Sequence, residues 1–250
     1  MSIGLVLAGG GARGAYEIGA IKALDELGFK YDVITGTSVG ALISSLLLSN
    51  KKEILYEVWE NVDFDTVIEH EYKSKNKSFE TMVKAPLNMG FDITPLENML
   101  VSNIDEDAIR SNPIKGGLVY TEGEFTYKAI SYNDIPEGEI TNYVLTSCSA
   151  FPFLKKRTIN GKKCKDGWFT DNVPIDFANK LGATKVIAID VMLGVTRKYD
   201  KNSVEVLYLR PSKKLNFFLD FSNNLIKDMI KLGYEDTINK KDEILNFINS

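Results

Sequence analysis

Along the first fifty residues the apolar positions change period twice. Ile3 to Ala8 is a short apolar run with the length of a strand, and it ends in the glycine-rich stretch Gly9-Gly10-Gly11-Ala12-Arg13-Gly14. Beyond it Ile18, Ile21, Leu24 and Leu27 recur at three-residue steps, the spacing of one helix face, and Gly28 supplies a stop. Asp32 to Thr35 predicts a second strand, Gly36-Thr37-Ser38-Val39-Gly40 a turn, and Val39 to Leu48 a largely apolar helix. Strand, helix, strand, helix with short joints predicts an α/β fold with a mainly parallel central sheet flanked by helices on both faces.

The pattern then loosens. Residues 51–113 carry helical spacing through Ile54, Leu55, Val58 and Trp59, a polar run around Lys73, Lys75 and Lys77, and another helix from Pro95 to Leu100. Inserted helices on a rigid sheet are where access to a site is controlled, so this segment reads as a helical cap, with the lysine run as a solvated loop. Gly117–Thr121 and Phe125–Tyr132 predict two strands joined by a turn, and Arg157–Ile159 and Lys162–Cys164 flank Asn160-Gly161, a tight-hairpin signal. Pro174 to Leu181 predicts a helix ending at Gly182, Lys185–Val191 and Val204–Leu209 two more strands, and the tail 217–250 a helical segment with core-facing apolar residues.

Composition narrows the class without changing this outline. With 250 residues, 44% hydrophobic and 26% charged, the chain fits one domain with an inserted cap. A net charge of −4 and a pI near 5.3 argue against nucleic-acid binding, and against attachment to anionic membrane by charge alone. The amino terminus shows no basic leader and the longest apolar stretch falls short of a membrane span, so a cytoplasmic protein is expected. Cys148 and Cys164 read as free thiols, and with His70 the single histidine nothing calls for a metal or another cofactor.

Three stretches bear chemistry. A glycine loop between a strand and a helix leaves backbone N–H groups open to an anion, either a cofactor phosphate or a transient oxyanion. Gly9-Gly10-Gly11-Ala12-Arg13-Gly14 also fits a dinucleotide fingerprint, but that unit needs an acidic residue at the carboxyl end of its second strand, and Asp32 stands at the beginning. Ser38, with Gly36 and Gly40 two positions either side, has the spacing of a nucleophile on a strand-to-helix elbow. His70 lies in Glu69-His70-Glu71-Tyr72-Lys73, a polar context that reads as solvated surface rather than as its base. The third stretch, Asp166-Gly167-Trp168, follows the Asn160-Gly161 hairpin and would alone be a turn.

In that order, with Ser147-Cys148-Ser149-Ala150-Phe151-Pro152 before the aspartate, these motifs resemble those of the patatin-like phospholipase family, from Gly4 to about Val191. The resemblance implies a three-layer sandwich and a lipid acyl hydrolase acting on a lipid or acyl-ester substrate, at a membrane surface or on monomeric lipid. It assigns Ser38 as nucleophile, Asp166 as its base, and Gly9, Gly10 and Gly11 as the oxyanion loop. Arg13, Gly14, Gly36, Gly40 and Gly167 support the motifs, with Arg13 expected to brace the glycines or meet a head group. Trp168 departs from the family pattern, which has a small residue there; with Phe151 it is expected to line the acyl site. A lipid-binding protein without catalysis and a nucleotide-binding module stand as alternatives.

Overall fold

Burial on both faces demands near-continuous apolar strands, and β1 (Ile3–Leu7), β2 (Val33–Thr37) and β7 (Lys185–Ile189) are of that kind, β2 and β7 buried throughout. The computed structural model describes residues 2–63, 67, 91–191 and 194–250. Among them the remaining strands are β3 (Lys115–Glu122), β4 (Thr126–Ser131), β5 (Arg157–Ile159), β6 (Lys162–Asp166) and β8 (Glu205–Leu209). All join one sheet in the order β5-β6-β3-β2-β1-β7-β8, with β4 on β3. The β3-β2-β1-β7-β8 portion is parallel, as the sequence pattern predicts; β4, β5 and β6 form an antiparallel flank.

The helices described are α1 (Gly14–Glu26), α2 (Val39–Leu48), α3 (Lys52–Asn61), α4 (Thr94–Asn103), α5 (Glu106–Ser111), α6 (Ile140–Ser147), α7 (Ile175–Lys180), α8 (Asn223–Asn239) and α9 (Lys241–Asn249). They pack with the sheet into one contiguous apolar cluster running from Leu5 to Ile244. The tail is not helical from residue 217: the chain turns at Phe217–Asp220, and α8 begins only at Asn223. The reason lies at the glycine loop, where the Phe218 carbonyl accepts the Ala12 N–H at 2.7 Å, a bond that a helix starting at 217 would compete for.

One feature of the sheet positions the chemistry. β4 occupies one edge of β3 from Gly117 to Glu122. The other edge is shared in succession, by β2 up to the pair Thr37–Val119 and then by β6 from the pair Tyr120–Asp166. The end of β6 therefore meets the end of β2. Residues 128 apart in sequence are brought face to face by strand register.

Candidate active site

Ser38 occupies the joint between β2 and α2 with φ 54° and ψ −124°, a left-handed conformation rare for a residue with a Cβ and costing about 1–3 kcal/mol. The neighbouring glycines permit the sharp turn: a Cβ on Gly40 would sit 2.5 Å from the Leu7 carbonyl oxygen, and one on Gly36 would collide with the Gly40 backbone. The elbow is also tied from outside. The Ser38 N–H donates to Ser147 Oγ at 2.8 Å, and that hydroxyl donates to the Val119 carbonyl at 2.7 Å.

Asp166, the last residue of β6, is 1% exposed. Its Oδ2 accepts a 2.6 Å hydrogen bond from Ser38 Oγ, and its Oδ1 accepts the Trp168 N–H at 2.9 Å. Its backbone is fixed by N–H donation to the Ser149 carbonyl and by the Thr121 hydroxyl donating to its carbonyl. Burial pushes the carboxyl pKa up to about 7, against the opposing pull of the Ser38 and Trp168 hydrogen bonds. Among the described residues Asp166 makes no ion pair.

The glycine loop lies beside the elbow: a Cβ on Gly9 would be 3.1 Å from the Ser38 Cβ. Asn172 clasps Gly9 from both sides, its Oδ1 accepting the Gly9 N–H at 3.1 Å and its Nδ2 donating to the Gly9 carbonyl at 3.0 Å. The Gly9 N–H is thus engaged within the protein. Among the described residues the N–H groups of Gly10 and Gly11 have no acceptor. Arg13 braces the loop, donating to the carbonyls of Asn216 (2.9 Å) and Val191 (3.2 Å). Beneath it Glu17 is wholly buried, its Oε1 accepting the Ala8 N–H at 2.7 Å, and burial raises its pKa well above the ordinary carboxylate range.

Ser38, Asp166, Gly10 and Gly11 open into a cavity of about 700 Å³. Its walls are mainly apolar, drawn from α2 (Leu42), α3 (Trp59), α4 (Leu96) and the 218–221 segment (Phe218, Phe221), and Glu57 and Asp166 are the charged residues among those described. Trp168 lines it. Phe151 does not: the Lys156 ammonium lies 4.4 Å over its ring, outside the described wall. Asp32 sits at the far end of the sheet, accepting the Ile3 N–H at 2.9 Å, which removes the acidic partner a dinucleotide would need. His70 and the Lys73–Lys77 run lie outside the described residues.

A family model for patatin-like phospholipases matches residues 5–179, well over half of the chain. The chain belongs to the patatin-like phospholipase family. Within it, the chain is 30% identical over 197 residues to patatin-like phospholipase domain-containing protein 7 of Rattus norvegicus, covering 76% of this chain and 14% of that protein. It is 30% identical to the neuropathy target esterase sws of Drosophila melanogaster over 195 residues (76% and 13%). To lysophospholipase NTE1 of Yarrowia lipolytica the identity is 29% over 196 residues, again 76% and 13%. The chain thus spans about one seventh of the length of these relatives. VipD from Legionella pneumophila shares the fold at a TM-score of 0.55 and 14% identity, over 97% of this chain and 67% of that one. The type III effector ExoU does so at 0.54 and 15%, over 96% and 52%.

Two supports of this patatin-like site went unread in the sequence. In the sequence Asn172 has no signal beyond its place shortly before Pro174, although its clasp on Gly9 fixes the loop. Glu17 lies in the first turn of α1, where acidic residues are ordinarily exposed, yet it is wholly buried; the signal for this is its place one turn after the glycines.

Proposed function

We propose that this chain is a lipid acyl hydrolase in which Ser38 and Asp166 form a catalytic dyad. The observation that carries the reading is the 2.6 Å Ser38–Asp166 bond at the mouth of a largely apolar cavity. Ser38 Oγ attacks the ester carbonyl while its proton passes to Asp166 Oδ2. The carbonyl oxygen takes up negative charge and is held by the N–H groups of Gly10 and Gly11, Gly9 serving through its clasp with Asn172 to fix their direction. Asp166 then gives the proton to the leaving alcohol oxygen, and the acyl group stays on Ser38. Water completes the cycle: Asp166 accepts its proton, the oxygen attacks the acyl carbonyl, and the proton returns to Ser38 as the carboxylic acid departs.

The acyl chain lies along Leu42, Trp59, Leu96, Trp168 and Phe218, and burial of each methylene contributes about 0.8 kcal/mol toward binding. α3 and α4, from the segment expected to cap the domain, supply the outer wall of the cavity. The relatives named as esterase and lysophospholipase agree with this chemistry. The test is hydrolysis of a phospholipid, lysophospholipid and simple-ester panel by wild type, Ser38→Ala and Asp166→Asn, with a fluorophosphonate adduct mapped by mass. The proposal expects a covalent adduct on Ser38 and the loss of at least about 10²-fold in either variant. An active Ser38→Ala protein, or a wild type that the probe does not label, ends it.

A further inference from the structure

Although the chain is acidic overall, one surface beside the cavity is basic and aromatic. The β3–β4 turn carries Phe125, whose side chain stands 73% exposed, the largest apolar exposure among the described residues. The β5–β6 hairpin lies against this turn, the Gly123 N–H donating to the Lys163 carbonyl at 2.8 Å. Strand alternation sends Lys163 and Lys165 to the same face. The Lys165 ammonium sits between two rings, 4.9 Å from Phe125 and 4.1 Å from Phe169. Lys156 lies 4.4 Å over the ring of Phe151. One carboxylate, Glu124, 78% exposed and at 3.9 and 4.0 Å, faces both Lys156 and Lys165, and Lys163 makes no ion pair among the described residues. The face therefore carries a local surplus of positive charge around the protruding Phe125 ring, with Phe151 and Phe169 half-buried beside it.

The surface is continuous with the site. Phe169 stacks edge-on against Trp168 at 4.8 Å, and Trp168 forms the cavity wall next to Asp166. The exposed Phe125 ring with Lys156 and Lys163 beside it suits the boundary between anionic head groups and acyl chains, where the ring finds apolar surroundings and these two lysines find phosphate, while Lys165, 4% exposed, stays caged between the rings. We infer that the β3–β4 turn and the β5–β6 hairpin form the docking face for an anionic lipid surface, holding the cavity against the bilayer. This inference deepens the acyl-hydrolase reading and rests on it for its biological sense. Net charge conceals the face because the acidic residues are spread over the rest of the molecule, while screening limits each charge to a reach of about 8 Å at physiological salt.

The test is co-sedimentation of the chain with vesicles of phosphatidylcholine alone or with 30% phosphatidylglycerol, for wild type, Lys163→Glu and Phe125→Ser, alongside hydrolysis of a soluble short-chain ester. Wild type binds the anionic vesicles and releases them as salt is raised. Lys163→Glu weakens that binding by about thirtyfold, the effect of removing one positive charge and adding a negative one. Phe125→Ser weakens it by about tenfold. Both variants keep the wild-type rate on the soluble ester, which shows that they fold. Equal binding to neutral and anionic vesicles, no binding at all, or wild-type binding by both variants overturns the inference. Anionic-vesicle binding that the variants lose, in a protein that cleaves no ester, supports the docking face and overturns the hydrolase reading instead.

Discussion

Lowering the pH from 8 to 5 protonates Asp166, the proposed acceptor of the Ser38 proton. With the Asp166 pKa near 7, about nine molecules in ten carry the carboxylate at pH 8 and about one in a hundred at pH 5, so kcat/KM on a soluble ester falls by about 10²-fold along a single-proton curve. The same shift has a stability consequence. Burial raises the folded-state pKa above the unfolded value of about 3.9, so the protonated group favours the folded state; that contribution is full below about pH 4 and is lost as pH rises through 7. The difference of about three pKa units corresponds to about 4 kcal/mol at pH 8. Asp166→Asn, neutral at every pH, should therefore melt above wild type at pH 8 and at nearly the same temperature at pH 4, while losing activity throughout. The assays are a kcat/KM profile from pH 5 to 9 and thermal melts of both proteins at pH 4 and 8. A profile flat between pH 6 and 8, or an Asp166→Asn protein that gains no stability at pH 8, refutes the assignment of a buried, hard-to-ionise base.

Ser38→Gly and Ser38→Ala both delete the bond to Asp166 and should both abolish activity, but the Gly variant has no Cβ in the left-handed conformation and should be the more stable of the two by about 1 kcal/mol in urea unfolding; an Ala variant at least as stable as the Gly variant would show that the elbow is not strained. Asn172→Ala deletes both side-chain bonds to Gly9 and should cost about 2–3 kcal/mol and lower kcat more than it raises KM, because the loop loses its direction rather than the cavity its shape. Glu17→Gln keeps the acceptor for the Ala8 N–H. Since burial raises the folded-state pKa of Glu17, wild-type stability declines as pH rises above the ordinary carboxylate range, and the Gln variant should melt increasingly above wild type toward pH 9; parallel melting curves would count against it.

The parallel half of the sheet was legible because strands buried on both faces write themselves as apolar runs, and the hairpins because Asn160 and Gly161 both take positive φ, as their turn requires. The order Gly9–Gly14, Ser38, Asp166 marked the site. What stayed hidden is three-dimensional in origin. Phe217–Phe221 has helix-compatible composition, yet the Ala12 N–H holds the Phe218 carbonyl and this stretch becomes a wall of the cavity. Phe151 and Trp168 looked equivalent beside their motifs, but only Trp168 lies on the cavity side. Gly9 looked interchangeable with Gly10 and Gly11 until Asn172, 163 positions away, was found to occupy its N–H.

On the proposed Ser38–Asp166 dyad, the surroundings of the aspartate have to supply what a histidine would otherwise provide. An aspartate with its ordinary pKa of about 3.9 is a poor base for a hydroxyl. Here β3 gives up its edge to β6 where β2 ends, which carries Asp166 under the elbow and out of water; the loss of hydration, with no ion pair to Asp166 among the described residues, raises its proton affinity toward that of an imidazole. The Trp168 N–H on Oδ1 aims the other oxygen at Ser38. A cationic side chain placed near Asp166 would restore solvation and undo that gain, lowering the pKa and weakening the base even with the 2.6 Å bond intact. The proposed docking face reaches the site through Phe169, whose ring carries the Lys165 ammonium and packs edge-on against Trp168, so a charge added on the Trp168 side of that pair tests this account of the base directly.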